Sequence, residues 1–292
     1  MDGTAARSTK GRASTGPTFA VAFGGGGARG LAHIHVIEAL DELGIRPVAI
    51  AGSSIGAIMG AGMAAGMTGR DIHDYARSIL ARRSEVAARM WRARPINFAD
   101  VSAGGVRFGQ LNVERILRAF LPEQVPQNFA ELTIPLSVTA TDYYGHALAV
   151  FEEGDLISAL AASAAIPALF RPVRRGGKLL IDGGIYNPVP FDLLEDKADV
   201  VIAIDVVGAP TPNSRRTPTS VELMFGASQL MMQSITNLMR AAAPPDLFIR
   251  PPVDSYRVLD FLKVKRILKE TEPVYDETRR GLERLLEDRP PA

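Results

Sequence analysis

Short apolar runs that end in glycine, each followed by helical spacing of apolar residues, set the pattern of the first part of the chain. Phe19 to Phe23 is a β-type run, Gly24 to Gly27 interrupts it, and Leu31, Ile34, Ile37 and Leu40 then recur at helical intervals. A second short strand, Val48 to Ala51, ends in Gly52-Ser53-Ser54-Ile55-Gly56, after which Ile55 to Met67 reads as a buried helix. Two glycine-dependent turns after two consecutive strands fall at the same, carboxyl, edge of a parallel sheet.

The alternation continues. Ile72, Tyr75, Ile79, Val86 and Met90 predict one amphipathic helix from about Asp71 to Trp91, with Arg77, Arg82, Arg83, Arg89 and Arg92 largely on its other side. Arg94 to Gln110, with Pro95, Gly104, Gly105 and Gly109, reads as a long loop, and Leu111 to Phe120 as a short helix stopped before Pro122. Together these make residues 70 to 130 a lid-like segment. Ile134 to Thr141 with Ala147 to Phe151, and Val173 with Lys178 to Ile181, predict two hairpins, the second running into Asp182-Gly183-Gly184. A small-residue helix from Asp155 to Ala165 separates them. Asp199 to Val207, apolar apart from Asp205, suits the middle of a parallel sheet. After a Pro/Ser/Thr/Arg loop, Thr219 and Glu222 form a capping box for a methionine-rich helix to about Ala242. Leu247 to Arg250 is one more strand, and Pro273 opens a terminal helix ending near Glu287. Residues 1–16 are polar and read as a disordered tail; residues 17–292 read as one α/β domain with a mainly parallel sheet.

Composition narrows the partners. A formal net charge of +1 over 292 residues gives no bulk electrostatic reason to bind nucleic acid, and none is expected as a partner. The absence of cysteine excludes disulfides, thiolate metal sites and cysteine nucleophiles, and fits a reducing, cytoplasmic setting. No stretch reaches the ~20 apolar residues of a membrane-crossing helix. The basic helix, ending at the only tryptophan, Trp91, predicts peripheral contact with anionic lipid surfaces.

Three groups carry candidate chemistry. Gly25-x-Gly27-x-x-Gly30 matches a dinucleotide fingerprint, but the second strand ends in Ala51-Gly52-Ser53 where an acid should hold the ribose. The remaining use of a bare row of N–H groups at a helix start is to hold an anion or a developing oxyanion. Gly52-x-Ser54-x-Gly56 fits a nucleophile elbow, and Ser54 needs a base. Of the four histidines, none follows Asp182; His33 and His35 alternate on the first helix, so one should be packed and one exposed, and His73 and His146 stand alone. Asp182, at the end of an apolar strand, is the acceptor that remains. The order describes a Ser54–Asp182 dyad in which a carboxylate takes the serine proton directly.

Gly25-Gly26-Gly27-Ala28-Arg29-Gly30, Gly52-Ser53-Ser54-Ile55-Gly56 and Asp182-Gly183-Gly184 resemble the signature motifs of the patatin-like phospholipases. Ala162 to Pro167 and Asn187-Pro188-Val189-Pro190 are similar to weaker segments of that family, and the resemblance runs from about Phe19 to Val207. It implies a three-layer α/β/α fold and hydrolysis of acyl esters of phospholipids or lysophospholipids without a metal or other cofactor. It also implies Ser54 as nucleophile, Asp182 as base, and amides around Gly25, Gly26 and Gly27 as the oxyanion hole. Arg29 would brace that loop or meet a lipid phosphate, while Gly30, Gly52, Gly56, Gly183 and Gly184 support the turns. The alternatives are a thioesterase or small-ester esterase with the same dyad, and a non-catalytic lipid-binding relative.

Overall fold

The computed structural model describes residues 16–93, 111–212 and 217–288. The expected tail up to residue 15 and the expected loop from Arg94 to Gln110 lie outside the described residues. In chain order the elements are β1 (Phe19–Phe23), α1 (His33–Glu42), β2 (Ala49–Ser53), α2 (Ile55–Ala64), α3 (Gly69–Leu80), α4 (Arg83–Arg92) and α5 (Val113–Phe120). Then follow β3 (Leu136–Asp142), β4 (Ala147–Phe151), α6 (Leu156–Ser163), β5 (Val173–Arg175), β6 (Lys178–Asp182) and β7 (Val200–Ile204). The chain closes with α7 (Ser220–Ala242), β8 (Leu247–Ile249), α8 (Val264–Thr271) and α9 (Pro273–Asp288).

All eight strands form one mixed sheet, parallel through β3-β2-β1-β7-β8, with the two hairpins supplying its antiparallel part. The register explains how two strand ends meet. β2 runs beside the first half of β3, as far as Ser53 opposite Thr139. β6 runs the other way along the second half, ending with Asp182 opposite Ala140. β4 pairs with Val138 to Asp142 and therefore occupies the opposite side of β3. β2 and β6 thus share one side of β3 and point their carboxyl ends at each other.

The alternation of side chains makes the two faces of the sheet unequal. Phe19, Val21, Phe23, Ile50, Val200, Ile202 and Ile204 face a large core shared with α1, α2, α3, α5, α8 and α9. Ala20, Ala22, Ala49, Ala51 and Ala203 face the other way, against Val189, Phe191, Leu194 and Met239 of α7. Small residues on that face let the segment after Asn187 lie close to the sheet. This is the α/β/α layering expected, with a thick layer on one face and a thin one on the other.

The basic segment departs from expectation. It forms two helices, not one: α3 ends at Leu80, and Arg82 is extended (φ −114°, ψ 106°) before α4 begins. A capping box between Thr68 and Asp71 starts α3, a device worth about 1 kcal/mol. Arg89 is not turned toward a surface, since its guanidinium bonds Glu85 (2.8 Å) and the carbonyl of Ala119 (2.5 Å), tying α4 to α5. Trp91 is 69% exposed. No helix of the described residues is long and apolar enough to cross a membrane.

The crossing of α2 under β1 is the tightest contact of this framework. A Cβ at Gly56 would lie 2.1 Å from the carbonyl oxygen of Phe23 and 2.6 Å from that of Gly24. Only a hydrogen fits there, so Gly56→Ala should displace the backbone and destabilise the domain by about 3 kcal/mol or more. Chemical denaturation monitored by circular dichroism checks the loss.

Candidate active site

Ser54 sits between β2 and α2 with φ 53° and ψ −122°, a left-handed conformation that L-residues rarely adopt. The turn is held from outside: the Ser54 N–H donates to the Ser163 hydroxyl at 2.7 Å. At the end of β6, the Asp182 N–H donates to the Ala165 carbonyl at 3.0 Å. The end of α6 and the residues just after it therefore grip both strand ends at once.

Between these ends the Ser54 hydroxyl donates to Asp182 Oδ2 at 2.6 Å, with both residues buried. Asp182 Oδ1 accepts the N–H of Gly184 at 2.8 Å, so each carboxylate oxygen has a donor. Burial dominates and raises the Asp182 pKa to about 6; the bonds from Ser54 and Gly184 pull it partly back. The backbone of Asp182 is fixed by Thr141, whose hydroxyl donates to the Asp182 carbonyl (2.9 Å). Gly183 lies against the Thr139 carbonyl and Gly184 beside Asp182 Oδ1.

The glycine row lies beside the serine. A Cβ on Gly25 would stand 3.3 Å from that of Ser54, and one on Gly30 would press into Ile55. The row enters a short 3-10 helix, Gly27–Ala32, before α1 begins at His33, two residues after the first position of the apolar spacing, Leu31. The Gly25 N–H, expected in the oxyanion hole, bonds the carbonyl of Pro188 at 2.9 Å. Gly26 and Gly27 differ. They precede the first internal bonds of the 3-10 helix, and among the described residues no partner occupies their N–H groups. Gly27 has φ +61° and faces the Val258 carbonyl, so its turn has no room for a side chain. Gly26 is extended (φ 170°), and a Cβ there would collide with the carbonyl of Val206.

Arg29, expected to brace the loop or meet a lipid phosphate, is turned onto backbone carbonyls. It is buried, with Nε donating to the Tyr256 carbonyl (2.7 Å) and Nη1 to that of Val207 (2.5 Å). Burial lowers its pKa to about 10, against the favourable charges of Asp254 and Asp260. The histidine expectation fails by one residue, since both His33 and His35 are buried. His35 Nε2 donates to the Leu268 carbonyl (2.9 Å), because α8, which no sequence pattern announced, covers that side of α1. His33 Nε2 donates to the Gly24 carbonyl (2.9 Å), and burial lowers its pKa to about 4, leaving a neutral ring that fixes the start of the glycine row.

Ser54 opens into an apolar cavity of about 430 Å³ lined by α2, α3, α4 and α5. Ile58, Met59, Ile72, Ile79, Val86 and Met90 are among its walls, and the volume lies in the range of small-molecule pockets. The apolar face of the basic segment is therefore an inner wall.

The site is a serine at a strand–turn–helix elbow, bonded to a buried aspartate at the carboxyl edge of an α/β sheet and flanked by the glycine row. By comparison with known proteins, the chain belongs to the patatin-like phospholipase family, whose model matches residues 21–195. It is 37% identical over 213 residues to an uncharacterized NTE family protein of Mycobacterium tuberculosis, covering 72% of this chain and 55% of that one. It is 29% identical over 282 residues to the lysophospholipase nte1 of Aspergillus fumigatus, covering 86% of this chain and 17% of that one. The chain thus spans about half the length of the first relative and a small part of the second. Among solved structures, VipD of Legionella pneumophila shares the fold at a TM-score of 0.51 and 16% identity, over 92% of this chain and 67% of that one.

The buried carboxylate predicts a stability effect with a definite sign. Its folded pKa of about 6 lies above the ordinary 3.8, so the stability it contributes is complete below pH 3.8 and is lost as pH rises through 6. Above that, ionised Asp182 costs the fold roughly 3 kcal/mol. Asp182→Asn should therefore be more stable than the parent at pH 8, with the difference vanishing near pH 4, as urea unfolding at both pH values measures.

Proposed function

We propose that this chain is a serine acyl hydrolase that cleaves fatty-acyl esters of phospholipids or lysophospholipids. The observation that carries the reading is the 2.6 Å hydrogen bond from Ser54 to Asp182 at the mouth of an apolar cavity. The lysophospholipase name belongs to the Aspergillus relative; the proposal extends that substrate class to this chain.

In the proposed reaction the acyl chain lies along Ile58, Met59 and the walls from α3 to α5, which act as the lid-like segment. Ser54 Oγ attacks the ester carbonyl while its proton passes to Asp182. The carbonyl oxygen becomes an oxyanion held by the N–H groups of Gly26 and Gly27. Its collapse breaks the ester C–O bond, and the departing alkoxide takes the proton from Asp182. Water then attacks the acyl-serine with Asp182 again accepting a proton, which returns to Ser54 as the fatty acid leaves. Ser54, at positive φ, lines the cavity while its hydroxyl donates to Asp182. Peripheral contact with a lipid surface belongs to the same proposal, through exposed Arg82, Arg83 and Trp91.

Ser54→Ala should abolish hydrolysis of lysophospholipid and labelling by a fluorophosphonate, and Asp182→Asn should lower kcat by about 10³-fold or more. Acyl-thioester turnover above lysophospholipid turnover, or labelling at another serine, would overturn the assignment. With Asp182 acting as base, kcat/KM should rise with pH through about 6 and then level. A pH profile with no limb in that region removes the carboxylate from the role.

The cavity makes a separate prediction. Ile58→Trp fills it one turn from the serine and should lower turnover of long-chain esters about tenfold or more while largely sparing a butyryl ester. Kinetics over a chain-length series decide.

A further inference from the structure

Helix α7 leaves an apolar stripe exposed where a surface helix is ordinarily polar. Of its residues Ser220–Ala242, only Gln229 and Thr236 are buried. Its inner side packs Met239 against the sheet and also holds backbone: Gln229 Nε2 donates to the Val207 carbonyl (3.2 Å) and Gln233 Nε2 to that of Gly208 (2.9 Å). Its outer line is apolar. Met224, Met231 and Leu238 recur at every seventh position and are 48%, 60% and 69% exposed. Ala227, Ser234 and Ala241 recur at every seventh position beside them, also exposed, and Leu223 and Leu230 widen the stripe. This is the a/d spacing of a helix that packs along another helix.

The geometry points to a second copy of this chain as the occupant: we propose that two α7 helices pack antiparallel about a twofold axis near Met232 and Gln233. Each layer then sets a large residue against a small one, Met224 beside the partner's Ala241, Leu238 beside the partner's Ala227, and Met231 beside the partner's Ser234. Large-to-small layers are what close helix packing requires. The parallel arrangement stacks Met231 on itself and leaves the alanines facing a gap. The two charged residues of α7, Glu222 and Arg240, lie off this stripe and are engaged within the chain, Glu222 by Arg257 (3.0 Å) and Arg240 over the Phe248 ring, so the seam itself carries no charge. A lipid surface fits poorly, because an interfacial helix carries basic residues along its polar flank and this flank is turned inward onto carbonyls.

The contact stands over the chemistry. Met232 packs against Gly184, and Ile185 and Tyr186, both exposed, extend the apolar surface beyond it. Pairing of α7 therefore buttresses the turn that carries Asp182, and it does so whatever ester the site cleaves.

Sedimentation equilibrium of the full chain should show a dimer in the micromolar range, within reach of a modest interface. Met231→Glu and Leu238→Glu should each raise its dissociation constant about tenfold or more. Ala227→Leu enlarges the small half of a layer without adding charge and should also weaken the dimer, with helix content by circular dichroism unchanged. Because the chain has no cysteine, orientation is read directly by oxidising a mixture of the Met224→Cys and Ala241→Cys proteins. Mixed cross-linked dimers should dominate, since these positions stand roughly 26 Å apart in a parallel pair. A monomer up to about 100 µM, like-with-like cross-links only, or loss of anionic-vesicle binding in Leu238→Glu with no change in mass would overturn the proposal.

Discussion

One strand supports two others on the same side, and that constraint governs the molecule. β3 is long enough for β2 to pair with its first half and β6 with its second, so the two meet end to end at Thr139 and Ala140. A strand end is where a side chain can stand clear of the sheet. Two strand ends pointing at each other put a serine and an aspartate within bonding distance without any loop having to carry them. The sheet therefore measures the gap, and its rigidity is the rigidity of the pair.

That economy has an energetic cost, visible in two strained groups. Ser54 is held at a backbone angle that unaided chains avoid, and Asp182 is held as a carboxylate where burial favours the acid. Neither would persist on an isolated turn. Ser163 and Ala165 restrain the two amides, Thr141 restrains the Asp182 carbonyl, and the glycines let the surrounding backbones close to contact. Three carbonyl-directed brackets complete the support: Arg29 to residues 207 and 256, His33 to Gly24, and Pro188 to Gly25.

What was legible in the sequence was whatever the chain encodes locally. The glycine turns, both hairpins, the capping box at Thr219 and the strand ending at Asp182 all follow from residue type and spacing, and all are present. Partnerships with distant backbone were not legible. Arg29 bonds two carbonyls more than a hundred and seventy residues away, and a carbonyl has no letter in the alphabet. The same reason hid the commitment of the Gly25 amide and the covering of His35 by α8. The break at Arg82 was hidden differently: apolar spacing persists across it because both helices line one cavity, so periodicity alone joined them.

The bracket between the glycine row and the far end of the fold also sets an order in time. Gly24 bonds the Ile204 carbonyl, Ala28 bonds that of Val258, and Arg29 bonds that of Tyr256. A chain leaving the ribosome can form the hairpins and pair β1 with β2 early, because those contacts are short in sequence, but the long-range closures must wait. The glycine row thus acquires its final shape only after residue 258 has emerged. Synthesis itself delays completion of the site until nearly the whole domain is available to enclose it.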